Sequence, residues 1–149
     1  MNLVRAYLLC GSCALLFTLG GCGPKQPEIV DVTGVVTMNG TPLEHIHVEF
    51  WPLAGPRSIG NTDETGTFEL KTDDLKRSGC LPGSSRVSLI DTHHMKDDYI
   101  SEGGDWVDMS AGRKSRIHSK YYDAMKSPLT VEVKLGETNH FEFAVDPRP

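Results

Sequence analysis

The chain has 149 residues, a formal net charge of −5 and no long run of like charge. Nucleic-acid binding needs clustered lysine and arginine, so this composition argues against a nucleic-acid partner and against membrane binding through a polybasic patch. The length corresponds to one domain of ordinary size once a leader is set aside.

Residues 1–21 predict a signal peptide rather than part of the fold. Arg5 supplies a positive charge, residues 6–19 are largely apolar, and two glycines precede Cys22. The apolar stretch is shorter than the roughly 20 residues that span a bilayer. A leucine and two small residues before a cysteine are typical of a lipobox, so we expect Cys22 to be the lipidated first residue of the mature protein. Residues 22–28 then form a short tether.

The cysteines do not predict a disulfide framework in the mature chain. Cys10 and Cys13 leave with the leader and Cys22 carries lipid, so Cys80 has no cysteine to pair with. The domain must therefore depend on its hydrophobic core. Cys80 lies in a Gly/Pro-rich turn, where a structural role is expected rather than that of a nucleophile.

Alternating apolar and polar residues predict an all-β domain over residues 29–146, followed by a tail at 147–149. Asn39-Gly40 supplies the two residues with positive φ that a type I′ hairpin turn requires. Strands with one apolar face bury it best as two packed antiparallel sheets, so we expect a seven-stranded antiparallel β-sandwich. The seven predicted strands are 30–38, 45–51, 58–62, 67–71, 84–90, 129–135 and 140–145.

Residues 92–127 carry no clear strand or helix pattern and are predicted to form one long irregular loop. A loop of this length is either functional or partly disordered. Four aromatic residues in it either form a stacking surface for sugar rings or fasten the loop to the sandwich. They are Tyr99, Trp106, Tyr121 and Tyr122.

The same loop is rich in carboxylates, which makes calcium binding an alternative. The spacing of an EF-hand loop is absent, so a solvated charged loop is the simpler interpretation. The carboxylates are Asp97, Asp98, Glu102, Asp105 and Asp108.

Several segments follow one another in a recognisable order: Val32-Thr33-Gly34-Val35-Val36, Asn39-Gly40-Thr41-Pro42-Leu43, Val48-Glu49-Phe50 and Thr62-Asp63-Glu64-Thr65-Gly66-Thr67-Phe68. In order and spacing they resemble the carboxypeptidase regulatory-like family, which implies a transthyretin-like (prealbumin-like) fold. Three further segments are Ile117-His118-Ser119-Lys120-Tyr121, Ser127-Pro128-Leu129-Thr130-Val131 and Phe141-Glu142-Phe143. These look like the C-terminal signature of short bacterial lipoproteins built on that domain, with His118 in place of the usual proline. The resemblance implies a non-catalytic accessory domain and supplies no catalytic residue.

His45 and His47 are two apart on a predicted strand, with Glu49 next on the same face. Such spacing suits zinc or copper if His93 or His94 from the long loop completes the site. The alternative is that these residues form the solvent face of a strand whose other face is apolar.

The chain has no Gly-x-Ser-x-Gly elbow, no His-Glu-x-x-His motif and no P-loop, so we expect no enzyme and no cofactor. The leading hypothesis is a lipid-anchored cell-envelope lipoprotein with a structural or protein-interaction role. Carbohydrate or peptidoglycan binding through the loop aromatics is the second hypothesis, and metal binding through His45 and His47 is the third. Gly23 stands where some inner-membrane lipoproteins have aspartate, which favours the outer membrane.

Overall fold

The protein is described by a computed structural model that covers residues 28–73, 77–93, 99–100, 106–107 and 114–149. At 99–100 and 106–107 only the backbone is described. Two β-sheets pack against each other and helix is almost absent from the described residues, so the all-β prediction is confirmed.

The strands follow in chain order. They are β1 (Val32–Met38), β2 (Thr41–Pro42), β3 (Ile46–Pro52), β4 (Ser58–Asn61), β5 (Thr67–Glu69), β6 (Lys71–Thr72), β7 (Gly83–Asp91), β8 (Tyr99–Ile100), β9 (Trp106–Val107), β10 (Thr130–Val133) and β11 (Asn139–Val145).

Strand β1 is the centre of the first sheet. Strand β11 pairs with it in parallel along one edge, and β2 and β5 pair with it antiparallel along the other. The second sheet is antiparallel throughout and has the order β10-β7-β3-β4-β6.

The prediction of seven antiparallel strands is wrong in number and in direction. The two sheets contain nine strands, because β2 was not predicted and the predicted strand 67–71 divides into β5 and β6. The division falls at Leu70, where the chain leaves the first sheet for the second. Alternation alone does not reveal such a crossing, since both short strands keep the same period, and it does not reveal that β1 and β11 run parallel.

Two further boundaries differ from expectation. Strand β10 ends at Val133, and Leu135 is 54% exposed because the turn at Gly136 follows it with a positive φ of 76°. The predicted irregular loop at 92–127 contains the short antiparallel pair β8–β9 and a 3-10 helix at Ser119–Tyr121.

The predicted turn at Asn39-Gly40 and the predicted apolar face of β3 are confirmed. Asn39 and Gly40 have positive φ values of 52° and 78°, which join β1 to β2 in the left-handed conformations that such a turn needs. On β3 the side chains of Ile46, Val48 and Phe50 are fully buried.

Three buried phenylalanines, Phe50, Phe68 and Phe143, and the partly buried Phe141 join the two sheets. Phe50 of the second sheet lies 6.3 Å from Phe68, 5.7 Å from Phe141 and 6.2 Å from Phe143, measured between ring centroids. The last three belong to the first sheet. Tilted aromatic pairs at these separations add to the burial of apolar area, which is the main driving force for folding.

Gly34 is required by this packing. It stands opposite Phe68 in the β1–β5 pairing. A Cβ atom at Gly34 would lie 2.5 Å from the ring of Phe68 and 2.2 Å from the carbonyl oxygen of Phe141. Because glycine has no side chain, residue 34 leaves room for the Phe68 ring.

We expect Gly34→Ala to lower the free energy of unfolding by about 1–3 kcal/mol or more, because the added methyl group overpacks the core and displaces Phe68. Urea denaturation followed by fluorescence measures this. Val35→Ala is the control, since residue 35 is half-buried and already carries a Cβ. Equal losses in the two variants would contradict the steric explanation.

Candidate functional site

The structure separates the aromatic residues that were predicted to form a ligand surface. Tyr121 is buried in the core, and its hydroxyl donates to Asp146 Oδ2 at 3.0 Å. Tyr122 is half-buried and lines a surface groove. Tyr99 and Trp106 lie on the β8–β9 pair, and their side chains are outside the described part of the structure.

The groove beside Tyr122 has a volume of about 390 Å³ and is lined by residues of β3, β7 and the 122–125 segment. Trp51 of β3 is 40% exposed there, and Met125 is 74% exposed. We call this surface the Trp51 groove; its lining residues are Glu49, Trp51, Ser88, Tyr122, Asp123, Ala124 and Met125. Trp51 follows His47 and Glu49 on the outer face of β3 and was not among the predicted site residues. A large aromatic residue on an otherwise polar strand face was the available signal.

Polar contacts hold the Trp51 side chain in place. Its indole N–H lies within hydrogen-bonding distance of Glu49 Oε2, at 3.0 Å, and of Ser88 Oγ, at 3.2 Å. The guanidinium of Arg57 lies 5.2 Å from the centroid of the indole and also donates to Glu49 Oε1 at 2.9 Å. A fixed aromatic ring loses little conformational entropy when a ligand stacks on it.

His45 and His47 have different surroundings. His47 Nδ1 lies 2.9 Å from Asn61 Oδ1, and its Nε2 lies 3.5 Å from Glu49 Oε1. His45 precedes β3 with a positive φ of 62° and stacks on His93, with 5.7 Å between the ring centroids. The metal hypothesis grouped His45 with His47, whereas the cluster of metal-binding groups found among the described residues is Glu44, His45 and His93.

A buried ion pair lies next to this cluster. Asp91, at the end of β7, is fully buried, and its carboxylate accepts hydrogen bonds from Arg116 Nε at 3.0 Å and Arg116 Nη2 at 2.9 Å. The backbone N–H of Arg116 also donates to Asp91 at 2.6 Å. Burial acts to raise the pKa of Asp91, but the hydrogen bonds and charge of Arg116 outweigh it and hold the pKa below its ordinary value.

The remaining candidates fall into two groups. Cys80 is fully buried, and burial raises the pKa of its thiol, which keeps it protonated at neutral pH. Cys22, the leader, His94 and the five loop carboxylates proposed for calcium lie outside the described residues.

Comparison with known proteins gives no relative from which a function can be carried over: no family model matches the chain, and no curated protein or solved structure does. None of the helical segments in the described part of the chain has the length and apolar character needed to cross a bilayer.

We expect Arg116→Met to lower the free energy of unfolding by about 3–5 kcal/mol at neutral pH, because it leaves the Asp91 carboxylate buried without its counter-charge. Lys134→Met, which removes an exposed pair with Glu137, is the control and should cost at most about 1 kcal/mol. Thermal and urea denaturation measure both.

The pH dependence gives a second readout. In the wild type the folded pKa of Asp91 is lowered, so its stabilisation is present above the ordinary value of 3.8 and is lost as the pH falls through the folded pKa. In Arg116→Met burial raises that pKa instead, so acidification restores part of the lost stability. The difference between the two proteins should therefore shrink from pH 7 to about pH 4. A difference that does not change with pH would contradict the ion-pair account.

Proposed function

We propose that the protein is a cell-envelope lipoprotein whose mature domain is a transthyretin-like β-sandwich with a non-catalytic structural or protein-interaction role. The observation that carries the proposal is Leu19-Gly20-Gly21-Cys22 at the end of a short apolar leader. Lipidation of Cys22 anchors the domain on the extracytoplasmic side. Stable anchoring requires more than one acyl chain, since a single chain binds a membrane only marginally.

The length of the tether supports a position close to the membrane. Residues 22–28 reach at most about 25 Å when fully extended, at roughly 3.3–3.6 Å per residue. The backbone then pairs with the domain at once, because Val30 and Cys80 exchange hydrogen bonds of 3.0 and 2.9 Å. The sandwich is therefore held near the lipid surface, where its partners are other envelope components.

The contacts of the buried acidic groups support a structural role for them. Asp91 is neutralised by Arg116, and Glu49 accepts hydrogen bonds from Trp51, Ser88 and Arg57. These carboxylates fix the positions of strands and side chains, which accounts for their presence without a reaction.

The segments that resemble the carboxypeptidase regulatory-like family support the transthyretin-like assignment. They coincide with β1, with the turn at Asn39-Gly40 and with β5 in the first sheet, and with β3 in the second. The Gly34–Phe68 pair gives a physical reason for a glycine and an aromatic residue at these two places in the pattern.

We expect Cys22→Ser to abolish incorporation of labelled palmitate and to remove the protein from the membrane fraction, because the thioether can no longer form. Cys80→Ala is the matched control, since residue 80 is buried and should keep both label and location. Metabolic labelling and fractionation of cells that produce each variant make the comparison. Undiminished labelling of Cys22→Ser would refute the proposal.

The Trp51 groove favours a second candidate function, carbohydrate binding at the cell wall. Its exposed indole and the adjoining Tyr122 offer apolar faces for sugar rings, and Glu49 and Asp123 offer hydrogen-bond acceptors for hydroxyl groups. Of the aromatic residues first considered for this role, Tyr122 is the one whose described side chain lines the groove.

We expect the wild-type protein to sediment with purified peptidoglycan sacculi and Trp51→Ala to lose at least about 1 kcal/mol of binding free energy, or roughly fivefold in affinity, through loss of the stacking surface. Leu135→Ala removes an exposed apolar side chain that does not line the groove and serves as the control. Equal binding of all three proteins would eliminate the groove as the glycan site, and the lipoprotein proposal would stand without it.

A further inference from the structure

Three metal-binding side chains meet where β3 begins and β7 ends. One ligand atom from each of Glu44, His45 and His93 lies within 4.8 Å of the other two. We propose that this Glu44–His45–His93 cluster is a binding site for a divalent transition metal ion, with zinc as the best-suited ion. The proposal is independent of the lipid anchor and goes beyond it.

The ligand types and one distance fit zinc. Imidazole nitrogen and carboxylate oxygen are ordinary zinc ligands at about 2.0–2.2 Å, and two ligands of a tetrahedral ion at that range are about 3.3–3.6 Å apart. Glu44 Oε2 lies 3.3 Å from His45 Nε2. Because the His93 ligand atom is within 4.8 Å of the other two, bringing it to the same separation requires a side-chain shift of at most about 1.5 Å, which is small compared with rotamer changes. Three protein ligands leave the fourth position for water or an exogenous group.

The backbone holds His45 in the position the site needs. Its positive φ is rare for a residue other than glycine and turns the chain between Glu44 and β3. The His45 N–H donates to the Thr62 carbonyl at 3.1 Å, and its carbonyl accepts from both the backbone N–H and the hydroxyl of Thr92 at 2.8 Å. The conformation is therefore fixed by neighbours on both sides.

The buried ion pair holds the other two ligands. Asp91 accepts a hydrogen bond from the backbone N–H of His93 at 3.0 Å, and Arg116 Nη2 donates to the carbonyl of Glu44 at 2.6 Å. The Asp91–Arg116 pair thus fixes the backbone of two of the three candidate ligands. Metal sites commonly rely on such supporting hydrogen bonds to orient their ligands.

His93 provides an independent observation. Its Nδ1 is buried and has no hydrogen-bond partner among the described residues. A buried ring nitrogen without a partner is costly, and coordination removes the cost. We take Nδ1 as the ligand atom of His93.

Zinc chloride titrated into the full chain in detergent, in competition with a chromogenic chelator, tests the proposal. We expect one zinc ion per chain to bind tightly, in addition to any weak zinc binding by other side chains. His93→Ala and Glu44→Gln should each weaken zinc binding by at least about tenfold. Mutating a residue that only hydrogen-bonds to a metal ligand already lowers metal affinity by about that factor, and loss of a ligand should cost more. His45→Asn should do the same while keeping the fold, because asparagine tolerates a positive φ.

His47→Ala is the matched control, since His47 lies on the adjoining strand and is outside the cluster. It should retain the wild-type zinc affinity. Circular dichroism checks that each variant folds, and X-ray absorption at the zinc edge should give only nitrogen and oxygen ligands near 2.0–2.2 Å, with imidazole scattering that His93→Ala reduces. Zinc affinity that is the same in folded His93→Ala, or lost equally in His47→Ala, would overturn the proposal, and so would sulfur in the ligand shell.

Discussion

The fully buried carboxylate of Asp91 is the strongest local constraint in this structure. A charge removed from water costs several kcal/mol unless a counter-charge and hydrogen bonds replace its hydration. Arg116 supplies both, and it brings to the end of β7 a segment that is 25 residues away in sequence. From there Ile117 enters the core, and the chain pairs with its own C-terminal residues, since Arg148 donates its N–H to the Arg116 carbonyl at 2.8 Å.

This ion pair also connects the core to the surface features of interest. Asp91 and Arg116 reach the backbone of His93 and Glu44, so the Glu44–His45–His93 cluster is attached to rigid strands on both sides. The Trp51 groove depends on a similar but more exposed network, in which Glu49 connects the indole to Ser88 and Arg57. In both places a buried carboxylate on one strand holds groups from neighbouring segments in position.

Much of the sandwich could be predicted from the sequence because the alternation of apolar and polar residues shows which face of a strand is buried. Ile46, Val48 and Phe50 alternate with polar neighbours, and Asn39-Gly40 has the chemistry of its turn. What could not be predicted is the pairing between distant segments. The parallel contact of β1 with β11 and the crossing at Leu70 depend on which strands meet, and period-two alternation is the same for either partner or direction.

The candidate sites could be predicted only in part for the same reason. His45 and His47 have the spacing of one strand face, but the positive φ of His45 takes it out of the strand and toward His93. Tyr121 and Tyr122 are adjacent in sequence, yet one is in the core and the other lines the groove. Side chains brought together by long-range contacts, such as Trp51 with Tyr122, leave no sign in local sequence patterns.

We propose that this sandwich works at a membrane surface, attached through Cys22. Attachment there would hold its two candidate binding surfaces next to other envelope components. Intact-mass analysis of the protein purified from its native membranes tests this most directly. We predict a chain that begins at Cys22 and carries a diacylglyceryl thioether with a further acyl chain on the amino group or a free amine. A chain that begins at another residue, or one with an unmodified Cys22 thiol, would contradict the account.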